Sequence, residues 1–251
     1  MHVHLPKPLH GWRAFAGEVG IIVLGVLIAL SAQQVAEELN SRAQLRDAER
    51  AMTSELRDDD LPQAYIRAAI YNCYADQLEG IENAVTSGDR AKVLRLANLY
   101  QPIIHTWDDD AWKAAVASQV LVNSGAKRML DWSSAYVMVP RLSNGQSGER
   151  TELAVLHANL SGKGALSPEQ QDRIFQATSR LRDDNTVMSA ASLTLMRFLE
   201  RQGLDLSPQQ KSELLRDARS SYGTCVHKPS SEQLNFKTQI NVISDTTMGR
   251  K

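Results

Sequence analysis

The sequence predicts an all-α protein: one N-terminal transmembrane helix followed by an antiparallel helical bundle. Three observations carry that expectation. Residues 19–36 contain no charged side chain, and Val19 to Leu30 is almost wholly Val, Ile, Leu and Gly. Helix breakers are sparse, with 14 glycines and 8 prolines in 251 residues, while the strong helix formers Ala, Leu, Arg, Gln and Glu recur throughout. Few stretches alternate apolar and polar residues as a half-buried strand would.

Counted outward from Trp12, the apolar segment is about 25 residues, or roughly 37 Å of helix. A hydrocarbon core is about 30 Å thick, so the segment can span it with some tilt. Lys7, Arg13 and the amino terminus precede it, and Glu37 and Glu38 are the first charges after it. The positive-inside rule then puts residues 1–11 in the cytoplasm and the bulk of the chain outside it. The rival reading is a cleaved signal peptide, with Lys7 and Arg13 as its basic region and Ala29-Leu30-Ser31 as its cleavage site. Against it, Glu18 abuts the apolar run, and helix formers continue from Ala32 through Glu38 where a cleavage site prefers extended chain. Both readings export the domain.

The stretch Gly17-Glu18-Val19-Gly20-Ile21-Ile22-Val23-Leu24-Gly25-Val26-Leu27-Ile28-Ala29-Leu30, with Gln33 and Gln34 after it, resembles the N-terminal anchor of an uncharacterised group of bacterial single-pass membrane proteins. Downstream, Trp107 to Leu121 loosely resembles the helical domain of the same proteins. The resemblance implies an anchored helical domain and brings no activity with it.

At about 100° per residue, Glu18, Gly25, Ala29, Ala32 and Ala36 fall within one sector of roughly 60° on the anchor, opposite Val19, Val23, Leu27 and Leu30. Helices in lipid associate through close backbone approach over small side chains, and Gly25 with Ala29 supplies such a step. This face is therefore the candidate contact with a membrane-protein partner or a second copy, with membrane lipid around the rest. Glu18 either pairs across that contact or snorkels to the headgroups.

The expected organisation is a cytoplasmic tail over 1–11, the transmembrane helix over 12–36, a juxtamembrane helix over 37–60, a periplasmic helical domain over 61–228 and a flexible tail over 229–251. Pro62 lacks an amide donor, so Asp58-Asp59-Asp60-Leu61-Pro62 is expected to break or kink the juxtamembrane helix, with Asp60 capping the next helix. Helices are then expected to Thr86 before Gly88, from Asp89 to about Tyr100, and from Asp108 or Asp109 to about Leu121. Another should begin at Ser124-Gly125 and run through Trp132 and Tyr136. Leu166-Ser167-Pro168-Glu169-Gln170 and Leu206-Ser207-Pro208-Gln209-Gln210 each combine a serine N-cap, proline at the first helical position and a glutamine that can close a capping box. Gly203 and Gly223 sit where C-terminal caps belong.

No constellation of residues marks a chemistry. With 28 basic and 29 acidic residues and a net charge of −1, the chain has no single-sign field for nucleic acid. The cysteines Cys73 and Cys225 make an even count that pairs in an exported domain, or stays as two buried thiols in a reducing compartment. His2, His4 and His10 cluster in a tail without carboxylate or thiol support, and His105, His157 and His227 show no ligand spacing, so no metal or other cofactor is expected. The acidic runs at Asp58–Asp60 and Asp108–Asp110 lack the alternation and glycine of a calcium loop and read as helix caps, and Asp183-Asp184 as a solvated face. Ser161-Gly162-Lys163-Gly164 lacks the strand and spacing of a phosphate loop. Trp107, Trp112, Trp132 and Tyr136 could line a pocket but read as core. The expectation is a non-catalytic accessory or scaffold subunit of an envelope complex; the alternatives are an exported sensor or ligand-binding domain and, third, an enzyme.

A reporter active only outside the cytoplasm, fused after Arg57, is expected to be active, with the original N-terminus retained in the mature protein. Recovery of chains beginning at Ala32 would replace the anchor with a cleaved signal.

Overall fold

The structure, a computed structural model, describes residues 11–229 apart from Lys163. The tail beyond Pro229 and the cluster of His2, His4 and His10 lie outside the described residues. Among those described, every regular element is helical. Helix α1 spans Gly11–Thr53, and α2 spans Leu61–Thr86. They are followed by α3 (Arg90–Leu99), α4 (Asp110–Ala117), α5 (Ala126–Tyr136), α6 (Met138–Leu160), α7 (Pro168–Arg201) and α8 (Pro208–Tyr222). Single 3-10 turns cover Val120–Ser124 and Gly223–Cys225.

The juxtamembrane helix does not break at Pro62. Ser54–Asp60 is a π-helical turn, and it joins α1 to α2 so that helix runs without interruption from Phe15 to Thr86 over 72 residues. The widened turn is how the backbone accommodates the proline. The Leu61 amide donates to the Leu56 carbonyl five residues back, which relieves the crowding a proline ring imposes on the carbonyl four residues before it. One helix is thus long and apolar enough to cross a membrane, and its most apolar window is entirely uncovered by the rest of the protein. Residues 15–40 are exposed, and cover begins at Ser41. Within the apolar stretch the Ser31 hydroxyl donates to the Leu27 carbonyl at 2.7 Å, the intrahelical bond that keeps a hydroxyl satisfied in hydrocarbon.

Local signals act where they stand. Ser167 and Ser207 each close a full capping box with Gln170 and Gln210. Asp89 caps α3 by accepting from the Lys92 amide, and Gly88 and Gly203 take positive φ. The helix after Asp109 is shorter than expected. It ends at Ala117, and Gln119 at φ 57 reverses the chain into the 3-10 turn. Neither Asp60 nor Asp109 caps with its side chain. Conversely α6 passes through Pro140, Gly145 and Gly148 without interruption. Pro140 lies in its first turn, where no amide donor is needed. The glycines permit close approach to α7: a Cβ at Gly148 would lie 2.6 Å from Asp184 Oδ2, and one at Gly145 would overlap the Met188 side chain. The Ser161–Gly164 loop is tied down by Arg90, which donates to the carbonyls of Leu160 (2.6 Å), Gly162 (2.9 Å) and Gly164 (3.3 Å).

Two apolar clusters lie along the domain. The one nearer α1 includes Met52, Leu56, Trp132, Tyr136, Leu142 and Leu195. The other includes Ile70, Leu78, Ile81, Leu156, Ile174 and Leu181. Between them α2, α6 and α7 share a buried polar network. Arg67 and Glu149 are both fully buried and pair at 2.9 Å. Arg67 also donates to Asn185 Oδ1 at 2.9 Å, Asn185 donates to the Tyr71 carbonyl at 3.1 Å, and the Tyr100 hydroxyl donates to Glu149 at 2.6 Å. The Arg67 guanidinium lies 5.7 Å from the Tyr74 ring, which packs on Tyr100 with centroids 4.3 Å apart, and the Tyr74 hydroxyl donates to the Gln101 carbonyl. Burying two charges is costly unless both are well partnered, so removing one partner is worse than removing both. Arg67→Met is expected to lower stability by about 3–5 kcal/mol, a fall of roughly 10 °C in the melting midpoint for a domain of this size. The double variant Arg67→Met/Glu149→Leu should recover most of that loss in the same thermal melts.

Candidate functional site

The π-helical turn brings together a cluster of ionisable side chains that is partly buried and open to a cleft. The extra residue in the turn rotates Asp60 inward, leaving it 1% exposed. Its Oδ1 lies 2.9 Å from His105 Nε2, while Oδ2 has no hydrogen-bond partner. His105 sits on the segment between α3 and α4, and Gln146 of α6 clamps its backbone. The Gln146 side chain accepts from the His105 amide at 3.1 Å and donates to the His105 carbonyl at 2.9 Å. The same Gln146 oxygen accepts from the Trp107 indole at 3.0 Å, and the Trp107 ring meets the imidazole edge-on at 4.6 Å. The histidine is therefore held from both sides, although its backbone belongs to no helix.

Glu55, also in the π-helical turn, accepts from the Ala111 amide at 3.0 Å and so satisfies a free donor at the start of α4. The Tyr136 hydroxyl donates to the Met52 carbonyl at 3.4 Å, and burial first, then the neighbouring Glu55 carboxylate, raises its pKa. Tyr136 stacks on Trp112 with ring centroids 5.3 Å apart. The cleft itself is about 430 Å³ and is walled chiefly by Glu55, Asp59, Asp60, His105, Thr106 and Asp108.

Burial pushes the Asp60 carboxyl up from 3.8 to about 6, and the nearby charges of Glu55 and Asp108 add to that, while the hydrogen bond and charge of His105 oppose it. The pair can hold a proton between a buried carboxyl and an imidazole at the wall of an open cleft. No described hydroxyl hydrogen-bonds the histidine's other ring nitrogen, and no group of three or more metal-ligating side chains forms among the described residues. A second raised carboxyl, Asp184 at about 6, owes its shift to burial first and then to Glu149 and Glu152. It borders the enclosed Arg67 network rather than a cleft.

The residues singled out from sequence separate into three places. Cys73 and Cys225 are joined, with Cα atoms 5.2 Å apart across a sequence separation of 152. The chain-entropy estimate for so long a loop is about 5 kcal/mol, an upper figure. Gln77 donates toward Cys225 Sγ at 3.2 Å. Glu18, Gly25, Ala29, Ala32 and Ala36 all lie on the exposed stretch of α1, and a Cβ on Gly25 would meet nothing within 4 Å. Trp107, Trp132 and Tyr136 are buried in the cluster nearer α1 with Trp112 packed against it.

Two readings are corrected. Asp60 is a buried partner of the half-buried His105 rather than a helix cap, and Asp184 is half-buried against α6 rather than on a solvated face. Sequence reasoning misses the Asp60–His105 pair because its members are 45 residues apart. The one local signal is Pro62 itself, since a proline inside an otherwise unbroken helical pattern invites a π-turn, and such turns gather at functional sites.

The chain matches no family model, no curated protein and no solved structure.

Because the folded state binds the Asp60 proton more tightly than the unfolded chain does, the stabilisation from that carboxyl is fully present below about pH 4 and is lost as pH rises through about 6. Asp60→Asn keeps the neutral shape and the acceptor for His105. Its melting midpoint should match the parent's near pH 4 and exceed it increasingly up to pH 7.5; an offset that does not change with pH would refute the assignment.

Proposed function

We propose that this chain is a single-pass, membrane-anchored helical protein whose domain lies on the periplasmic side of a bacterial inner membrane, and that it works by binding, as an accessory or scaffold subunit of a larger envelope complex. One observation carries the reading: a bare apolar helix continues, with no linker, into the buried core of a helical domain. A free domain has no use for about 25 uncovered apolar residues, whereas a bilayer covers them and satisfies no backbone group that the helix has not already satisfied.

The outward orientation is supported by the basic residues before the anchor and the acidic pair Glu37-Glu38 after it. The disulfide between Cys73 and Cys225 supports the same side, because such bonds persist in oxidising compartments. The antiparallel bundle is supported by the pairing of α6 with α7, where Gly145, Gly148 and Glu152 meet Met188, Asp184 and Arg180 in opposite chain order.

The anchor's partner is a second transmembrane helix, from another protein or another copy, seated on the face of Gly25, Ala29, Ala32 and Ala36 with Glu18 at its cytoplasmic end. A second reading, an exported sensor, is favoured by one specific observation. Buried Asp60, paired with His105, sits in the π-helical turn of the rod that carries the membrane helix into the domain, so its protonation acts on that rod.

Single cysteines at positions 25 and 29, in otherwise full-length protein in native membranes, are expected to crosslink to a neighbour several-fold better than cysteines at 23 and 27. Equal yields around the helix would leave it a passive anchor.

A further inference from the structure

We infer that the turn between α4 and α5 is a second membrane contact, resting its tip in the headgroup layer of the same bilayer that α1 crosses. This rests on the anchored reading above. Both helices of the hairpin are registered against α1. The start of α4 meets α1's extension at Glu55, through the Ala111 amide. The end of α5 meets Met52, through the Tyr136 hydroxyl at 3.4 Å. Closer to the membrane, Arg128 in the first turn of α5 pairs with Glu49 at 2.7 Å. The chain therefore descends along α1 through α4, turns at Gln119–Gly125, and climbs back through α5.

The tip lies against the covered part of α1. Its 3-10 turn, Val120–Ser124, packs on α1, and Leu121 is buried in the cluster against which Leu45 and Ala48 pack. Arg128 shares a groove with Leu39, Arg42 and Leu45. Cover on α1 begins at Ser41, five residues beyond Ala36, where the uncharged run ends. Five residues are about 7.5 Å of helix, and the headgroup layer extends roughly 5–8 Å beyond the hydrocarbon. Because α1 is a single unbroken helix through this stretch, that height is set by the backbone rise and the tilt of the helix.

The surface offered at that height suits lipid. Val122 is 73% exposed at the tip, held there by a left-handed Gln119, a backbone state uncommon outside glycine. Met129 and Leu130 are exposed on α5. Lys127 is exposed and has no ion-pair partner among the described residues, and the first turn of α5 carries no acidic residue and no side-chain cap. Free amides and a lysine beside an apolar tip match the phosphates and upper acyl region of a bilayer surface.

Full-length protein reconstituted in nanodiscs of zwitterionic and anionic phospholipid carries a nitroxide at one site at a time: Val122→Cys, Leu27→Cys or Val155→Cys. Val155 is exposed on α6 in the half of the domain away from α1. Collision with oxygen is compared with collision with a water-soluble nickel complex. The expected result is a lipid signature at 27, an aqueous signature at 155, and at 122 an oxygen-to-nickel ratio several-fold above that at 155. A reading at 122 equal to that at 155, with 27 in lipid, overturns the contact and leaves the anchor standing. An aqueous reading at 27 overturns the anchored reading and the contact with it.

Discussion

A helix long and apolar enough to cross a membrane carries its own backbone hydrogen bonds, and in this protein that helix does not stop until it is inside the domain. The ladder that begins at Gly11 is still running at Thr86, with a single change of pitch at Ser54–Asp60. Everything else is built on that rod. Helix α7 packs along α2 and α6, α4 and the 3-10 turn after it pack on α1, and α5 packs on α6 and α7. Among the described residues no flexible linker separates the apolar helix from the domain, so the domain's tilt and rotation follow those of that helix.

The change of pitch is also where ionisable chemistry collects. A proline forces the turn to widen, the widened turn rotates an aspartate inward, and the aspartate is buried beside a histidine supplied by a distant loop. Its burial raises the carboxyl to about 6, so the one local irregularity of the rod is also sensitive to protonation. Farther along, the Arg67–Glu149 pair holds α2 and α6 together between two apolar clusters and draws in α3 and α7 through Tyr100 and Asn185. Such a pair adds little net stability over apolar residues of the same shape. Its contribution is register, because only one sliding position of the helices lets both charges find partners.

The features legible in the sequence are those whose physics is local. Ser167 with Gln170, Ser207 with Gln210, and Asp89 before Arg90 declare helix starts within a span of four residues. The anchor declares itself by an unbroken apolar run, and an even cysteine count points to Cys73 and Cys225. Pro62 misleads for an instructive reason. Local propensity favours a break, but Leu56, Leu61 and Ala64 are buried in one apolar cluster on both sides of the proline, and their packing outweighs a single missing hydrogen bond. Gly145 and Gly148 obscure α6 in the same way, since their role is to admit Met188 and Asp184 from another helix. Asp60 with His105 and Arg67 with Glu149 are not legible at all: no spacing rule links residues that meet only through tertiary packing.

A rigid connection between the apolar helix and the domain joins these parts, and it has a direct geometric signature. With the native cysteines bonded to each other, nitroxides placed at Leu39 and Asp76 in the full-length protein in nanodiscs lie on the two sides of the π-helical turn. Thirty-seven residues of continuous helix separate them by about 55 Å. Pulsed electron–electron distance measurement should give one narrow distribution near that value. A broad distribution, or a peak below about 40 Å as a helix folded back at Pro62 would give, contradicts the continuous helix and the fixed orientation that depends on it.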